Sequence, residues 1–171
     1  MKKILSLGLA LTLVLGMLAG CSKAPAAKTA EELTTLYNTS ITANGGEMVQ
    51  YNPPFTAFKE EDGSEFMLTE MFKLKKDDVK ALAVSGSMMN VKAYGIAAVM
   101  PAEGKEQAVK DALQSYIDFQ KQTFETYLPD QRDIANAAKL ETLSDGTILM
   151  VMCEGQDTVF NGIKTAIEGA Y

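Results

Sequence analysis

Apolar positions along the chain fall into three patterns. The first is one unbroken run, Ile4 to Met17, behind Met1-Lys2-Lys3. The second is a set of stripes at helical spacing. Leu33, Leu36, Tyr37 and Ile41 form one such stripe after Thr29-Ala30-Glu31-Glu32, a capping box in which Thr29 caps and Glu32 reaches back. Gly45-Gly46 stops that helix. Val109, Ala112, Leu113, Tyr116, Phe124 and Tyr127 mark the buried side of a long helix from Ala102 to Tyr127. Val159, Phe160, Ile163, Ala166 and Ile167 stripe a closing helix that Asp157 caps and Gly169 ends. The third pattern is four short runs that read as strands: Val79–Ser87, Lys92–Met100, Lys139–Leu143 and Thr147–Cys153.

The turn chemistry joins those runs in pairs. Met88-Met89-Asn90-Val91 suits a turn, since Asn tolerates left-handed backbone. Asp145-Gly146 between two strand-like runs is the strongest hairpin signal in the chain. Ile148 to Met152 is apolar at every position, as in a central strand covered on both faces. Phe66, Met67, Met71, Phe72 and Leu74 suggest a short helix over Glu65–Leu74, broken by Lys75-Lys76-Asp77-Asp78. Pro129 suits the first turn of a short helix, Pro129–Ala138. The predicted class is α+β: an antiparallel sheet of about four strands made of two hairpins. Helices pack against it, and the long helix lies between the hairpins.

The opening run covers roughly 21 Å as a helix, short of a ~30 Å hydrocarbon core. A positive start, a short apolar stretch and small residues form a signal-peptide pattern. It ends in Leu18-Ala19-Gly20-Cys21, which resembles the bacterial lipobox. The resemblance implies cleavage between Gly20 and Cys21 and a diacylglyceryl group on the Cys21 sulfur. Two acyl chains give stable anchoring where one holds only marginally. Residues 22–28 are small and polar and read as a flexible tether. The expected organisation is a lipoprotein signal peptide over 1–20, a lipidated cysteine and tether over 21–28, and a single α+β domain over 29–171.

Ser87-Met88-Met89-Asn90-Val91, the strand through Tyr94-Gly95-Ile96-Ala97-Ala98-Val99, and Phe124-Glu125-Thr126-Tyr127-Leu128-Pro129-Asp130-Gln131 carry a family resemblance. Together they resemble an uncharacterised bacterial lipoprotein family, a domain of unknown function common in Gram-positive anaerobes and typically found behind a lipobox. The likeness runs from about Glu65 to Ile163. Where that family often has an acidic residue near Ala93 or Tyr94, this chain has none. The resemblance supports fold and location and implies no mechanism.

Composition then narrows the chemistry. The 171 residues include 16 basic and 22 acidic side chains and no histidine, for a net charge of −6. An acidic chain lacks the basic footprint of a nucleic-acid binder. Without histidine the usual general base, zinc ligand and pH switch are missing. The sequence holds no Gly-x-Ser-x-Gly, no Ser-x-x-Lys and no glycine-rich phosphate loop. Once Cys21 is a thioether, only Cys153 remains, a thiol predicted to be buried and inert. Glu60, Glu61, Asp62 and Glu65 lack the alternating oxygen ligands of a calcium loop and read as a solvated turn. Tyr116, Phe119, Phe124 and Tyr127 read as core packing rather than a sugar platform. The methionines at 48, 67, 71, 88, 89, 100, 150 and 152 read as adaptable core filling rather than a soft-metal site.

The expectation is a lipid-anchored extracytoplasmic protein on the cell membrane, a non-enzymatic binding or accessory module of the envelope. It would need no cofactor. Its partners would be the membrane, through Cys21, and an envelope protein or small ligand. Two other classes stay open: a carboxylate-dependent envelope hydrolase and a methionine-based soft-metal carrier.

Overall fold

A computed structural model describes residues 27–89 and 91–171. Its centre is a four-stranded antiparallel sheet in the order β1-β2-β4-β3, built from β1 (Val79–Gly86), β2 (Gly95–Pro101), β3 (Lys139–Thr142) and β4 (Ile148–Met152). The two hairpins are β1–β2 and β3–β4, and β2 pairs with β4 to join them. The central position of β4 explains its unbroken apolar sequence, because all five of its residues are buried.

Helices cover both faces. Alternation along the strands sends Leu82, Val84, Ala97, Val99, Ile148, Met150 and Met152 to one face. There they meet α4 (Glu106–Phe124), α5 (Pro129–Asn136) and the segment Met67–Leu74. Ala81, Ala83, Ile96, Ala98, Leu149, Val151 and Cys153 face the other way. They pack against α1 (Ala30–Asn44) and α6 (Gln156–Glu168), whose stripes supply Leu33, Tyr37, Ile41, Phe160, Ile163 and Ile167. The capping box forms as predicted. Thr29 N–H donates to Glu32 Oε2 at 2.7 Å, and Glu32 N–H donates to Thr29 Oγ1 at 3.2 Å.

Several predicted boundaries shift for local reasons. The long helix starts at Glu106 rather than Ala102, because Gly104 has φ +72° and turns the chain first. It ends at Phe124, and Tyr127, predicted to be buried, is half exposed. Ile117 and Gln120 take its place on the buried side. Strand β2 starts at Gly95, three residues after the predicted Lys92. Segment 65–74 is a turn of α-helix, α3 (Ser64–Phe66), running into a π-turn, Met67–Met71. It stops at Lys73, whose φ of 58° no helix accepts, before the predicted break, and Lys76–Asp78 forms a 3-10 turn. Helix α6 is preceded by Gly155 at φ +68° with no side-chain cap; Asp157 lies in its first turn and pairs with Lys139 instead.

The Asp-Gly hairpin is wider than a two-residue turn. Gly146 N–H donates to Leu143 O at 3.0 Å, and Gly146 takes φ +91°. Asp145 accepts from both the backbone N–H and the hydroxyl of Thr147. The Thr147 hydroxyl in turn accepts from Tyr37 at 2.6 Å, tying α1 to this end of the sheet. Lys28 lies over the Tyr171 ring at 4.7 Å, and that ring lies near Asp145. At its other end α1 reaches Gly45, which abuts Ile96 near the start of β2. Helix α1 therefore runs the length of the sheet, from the β3–β4 turn to the opposite pole. No helix among the described residues is long and apolar enough to cross a membrane.

A cleft at the pole where β2 begins and β4 ends

Four segments, distant in sequence, meet at this pole. The Gly45-Gly46 turn closes α1 and leads into α2 (Met48–Tyr51). Gly45 is required there, since a Cβ would meet Val49 Cγ2 at 2.3 Å and Ile41 O at 2.6 Å. The second segment is Lys92-Ala93-Tyr94, the lead into β2. Helix α5 supplies Gln131 and Ile134. The end of β4 supplies Cys153 and Glu154. Between them lies a cleft of about 380 Å³.

The Lys92–Tyr94 wall is fixed by buried hydrogen bonds. Ala93 N–H donates to Gln131 Oε1 at 3.0 Å, and Tyr116 donates its hydroxyl to Tyr94 O at 2.7 Å. Gln131 Nε2 donates to Asp130 Oδ2 at 2.8 Å. That bond holds the Asp130 carboxyl below its ordinary value, and Lys92 adds a smaller push in the same direction. Leu128 adopts φ 53° just before Pro129 opens α5, which sets Gln131 facing the β2 lead. The phrase Leu-Pro-Asp-Gln thus has a structural role: it clamps one wall of the cleft.

The cleft combines an apolar floor with an ionic rim. Met48, Tyr51, Ala93, Ile134 and Cys153 supply apolar surface; Glu47, Lys92 and Glu154 are exposed charges. Cys153 is a free, buried thiol. Burial, reinforced by the nearby Glu154 charge, pushes it up to about 12. Only the thiolate is a nucleophile, so this sulfur is inert at neutral pH. Tyr94 is likewise pushed up to about 12 by burial, and its hydroxyl is committed to Ser85 at 2.6 Å. A shallower groove continues past Ile134, Cys153 and Glu154 to the start of α6.

The sequence-derived candidates are scattered relative to this cleft. Gly20 and Cys21 lie outside the described residues. Glu60, Glu61 and Asp62 are exposed, with Asp62 accepting from Ser64 N–H at 2.9 Å, and no group of three acidic, histidine or cysteine residues able to hold a metal occurs among the described residues. Tyr116 and Phe124 are core, whereas Phe119 is half exposed like Tyr127. Met67, Met150 and Met152 are buried on one face of the sheet, Met48 and Met100 pack on the other, and Met88 and Met89 are exposed. The methionines are thus divided rather than gathered. A glycosidase-type acid needs a carboxyl shielded from water; the two carboxylates the cleft brings in, Glu47 and Glu154, are both exposed. Sequence reasoning placed Cys153 correctly as buried and missed Glu47, Met48, Tyr51, Lys92, Gln131, Ile134 and Glu154 as a group. The one available signal was Gln131, a polar residue inside the most distinctive phrase of the chain.

Residues 56–153 match a family of domains of unknown function, DUF4358. The match spans more than half of the chain, including all four strands, α4 and α5, and the chain belongs to that family. Glu47 to Tyr51, Glu154 and the helices α1 and α6 fall outside the matched residues. Neither the curated proteins nor the solved structures give a match.

Proposed function

We propose that this member of the DUF4358 family is a lipid-anchored extracytoplasmic module that binds a small envelope component without chemically altering it. Cys21 carries the diacylglyceryl group, residues 22–28 form the tether, and residues 29–171 form the binding domain. The lipobox-like Leu18–Cys21 behind a short apolar run supports the anchor. The observation that carries the binding role is the cleft itself: an apolar floor, three convergent charges, and walls preset by the Ala93–Gln131 and Tyr116–Tyr94 hydrogen bonds. Two of the groups in it with nucleophilic potential are disarmed, Cys153 by burial and Tyr94 by its bond to Ser85.

The direction of α1 fits this reading. Its first residues lie at the β3–β4 turn and its last at the cleft. Fifteen helical residues separate the two poles by roughly 22 Å. A tether leaving from Thr29 therefore attaches the domain at the pole opposite the cleft and leaves the cleft unobstructed by the attachment point.

The anchor is tested by metabolic fatty-acid labelling of the wild type and Cys21→Ser; label should be present in the first and absent from the second. Label on both would remove the anchor. The binding role is tested by native mass spectrometry of the full chain extracted from its own membrane. A co-purifying small species should be seen on the wild type and lost from Ile134→Arg and Met48→Arg, which crowd opposite walls. A wild-type spectrum showing the bare mass, or a species retained by both variants, would refute it.

A further inference from the structure

The charges at the cleft select among ligands. Among the described residues, Lys92 is the one cation lining it. Asp130 lies close enough to feel Lys92 and offsets it. Glu47, on the α1–α2 turn, and Glu154, at the end of β4, make no ion pair among the described residues. The rim therefore carries an uncompensated negative charge above an apolar floor. Tyr51, 72% exposed at the mouth, adds an aromatic face, which attracts cations through its quadrupole. An anion entering here would meet two carboxylates; a neutral apolar molecule would gain nothing from them.

We infer that the cleft takes an organic cation: a primary ammonium or guanidinium group carried on an apolar or aromatic body. This rests on reading the cleft as a binding site, and it narrows that reading to a ligand class. The volume of about 380 Å³ lies at the small end of ligand sites and suits a body about the size of a dipeptide. The ammonium is drawn to the rim that carries Glu47 and Glu154, and the apolar body lies along Met48, Ile134 and Ala93.

The chain contains no tryptophan, so indole fluorescence comes from the ligand alone, and its anisotropy rises with the fraction bound. Three probes of nearly equal shape differ in charge: tryptamine is cationic at pH 7, tryptophol neutral and indole-3-propionate anionic. Fluorescence anisotropy is measured with the full chain in a neutral maltoside detergent, against a detergent blank. Tryptamine should bind most tightly and indole-3-propionate least. Glu47→Gln and Glu154→Gln should each weaken tryptamine roughly threefold, as expected for exposed charges, while leaving tryptophol unchanged. Lys92→Gln should tighten tryptamine by a similar factor. Both carboxylates are exposed, so these variants fold. Equal affinity for tryptamine and tryptophol, or tryptamine binding indifferent to both glutamate substitutions, would overturn the cation assignment while leaving a binding cleft. Failure of all three probes to bind would also overturn it, and the binding role would then stand or fall by the co-purified species alone.

Discussion

Replacing Gln131 by methionine tests the clamp on the cleft wall. Gln131 is 4% exposed, and Ala93, whose N–H it accepts at 3.0 Å, is 3% exposed. Methionine keeps the length and bulk of the side chain, so it opens no cavity. It removes the acceptor, and the Ala93 N–H is left buried without one. A buried donor stranded in this way costs about 1–3 kcal/mol. The second bond of Gln131, to the exposed Asp130 carboxylate, adds little, because Asp130 is readily solvated. A loss of about 2 kcal/mol is a large share of a typical stability of roughly 5–15 kcal/mol. It lowers Tm by about 4–8 °C in a chain of this size. Urea unfolding should show the midpoint falling with the slope unchanged. Native-state hydrogen exchange should localise the effect, with the Ala93 amide exchanging faster relative to the β2 ladder amides. A loss below about 0.5 kcal/mol with the Ala93 amide still protected would refute the reasoning.

Two further outcomes follow from the core. Gly95→Ala places a Cβ 2.7 Å from Tyr116 Cε1 and 3.2 Å from Met150 Cε, and the Tyr116 ring cannot retreat freely because it stacks on Phe72 at 4.0 Å. Overpacking of this kind costs about 1–3 kcal/mol, to be read by urea unfolding with near-ultraviolet tyrosine dichroism; an unchanged midpoint would contradict the packing. Alkaline pH should destabilise the fold. Cys153 rises from an ordinary 9.0 to about 12 and Tyr94 from 10.0 to about 12, both through burial. The folded chain then keeps protons that the unfolded chain releases, so stability is intact below about pH 9 and falls between there and pH 12. Urea midpoints taken from pH 8 to 11 should decline, with a shallower decline in Cys153→Ala; a flat profile would show that these groups are not desolvated.

The architecture was largely legible in the sequence because its signals are local. The Thr29–Glu32 capping box, Pro129 at the first turn of α5, Gly146 at positive φ and the unbroken apolar run of β4 each act within a few residues. They fix where an element starts, stops or turns, whatever surrounds it. Errors arose where a local preference met a tertiary demand. Asp157 is a good capping residue, yet Gly155 already turns the chain in left-handed geometry, which releases Asp157 to pair with Lys139. Tyr127 fits the stripe of α4, yet the helix ends at Phe124 and the register is lost.

Sequence alone determined the main helices and strands, the two hairpins and the acidic balance. Tertiary structure decided that β2 pairs with β4, which helices cover which face, and hence that a cleft exists at all. Residues 45–51, 92–94, 131–134 and 153–154 meet only because that pairing brings the start of β2 beside the end of β4, while α1 and α5 end at the same pole. Nothing within any one of these segments marks it as a wall. Gln131 looks like an ordinary polar helix residue until the Ala93 N–H, thirty-eight positions away, lies within hydrogen-bonding reach. Periodicity and capping act over a few angstroms of chain. A binding site is a property of distances through space, and the packing of the sheet sets those distances.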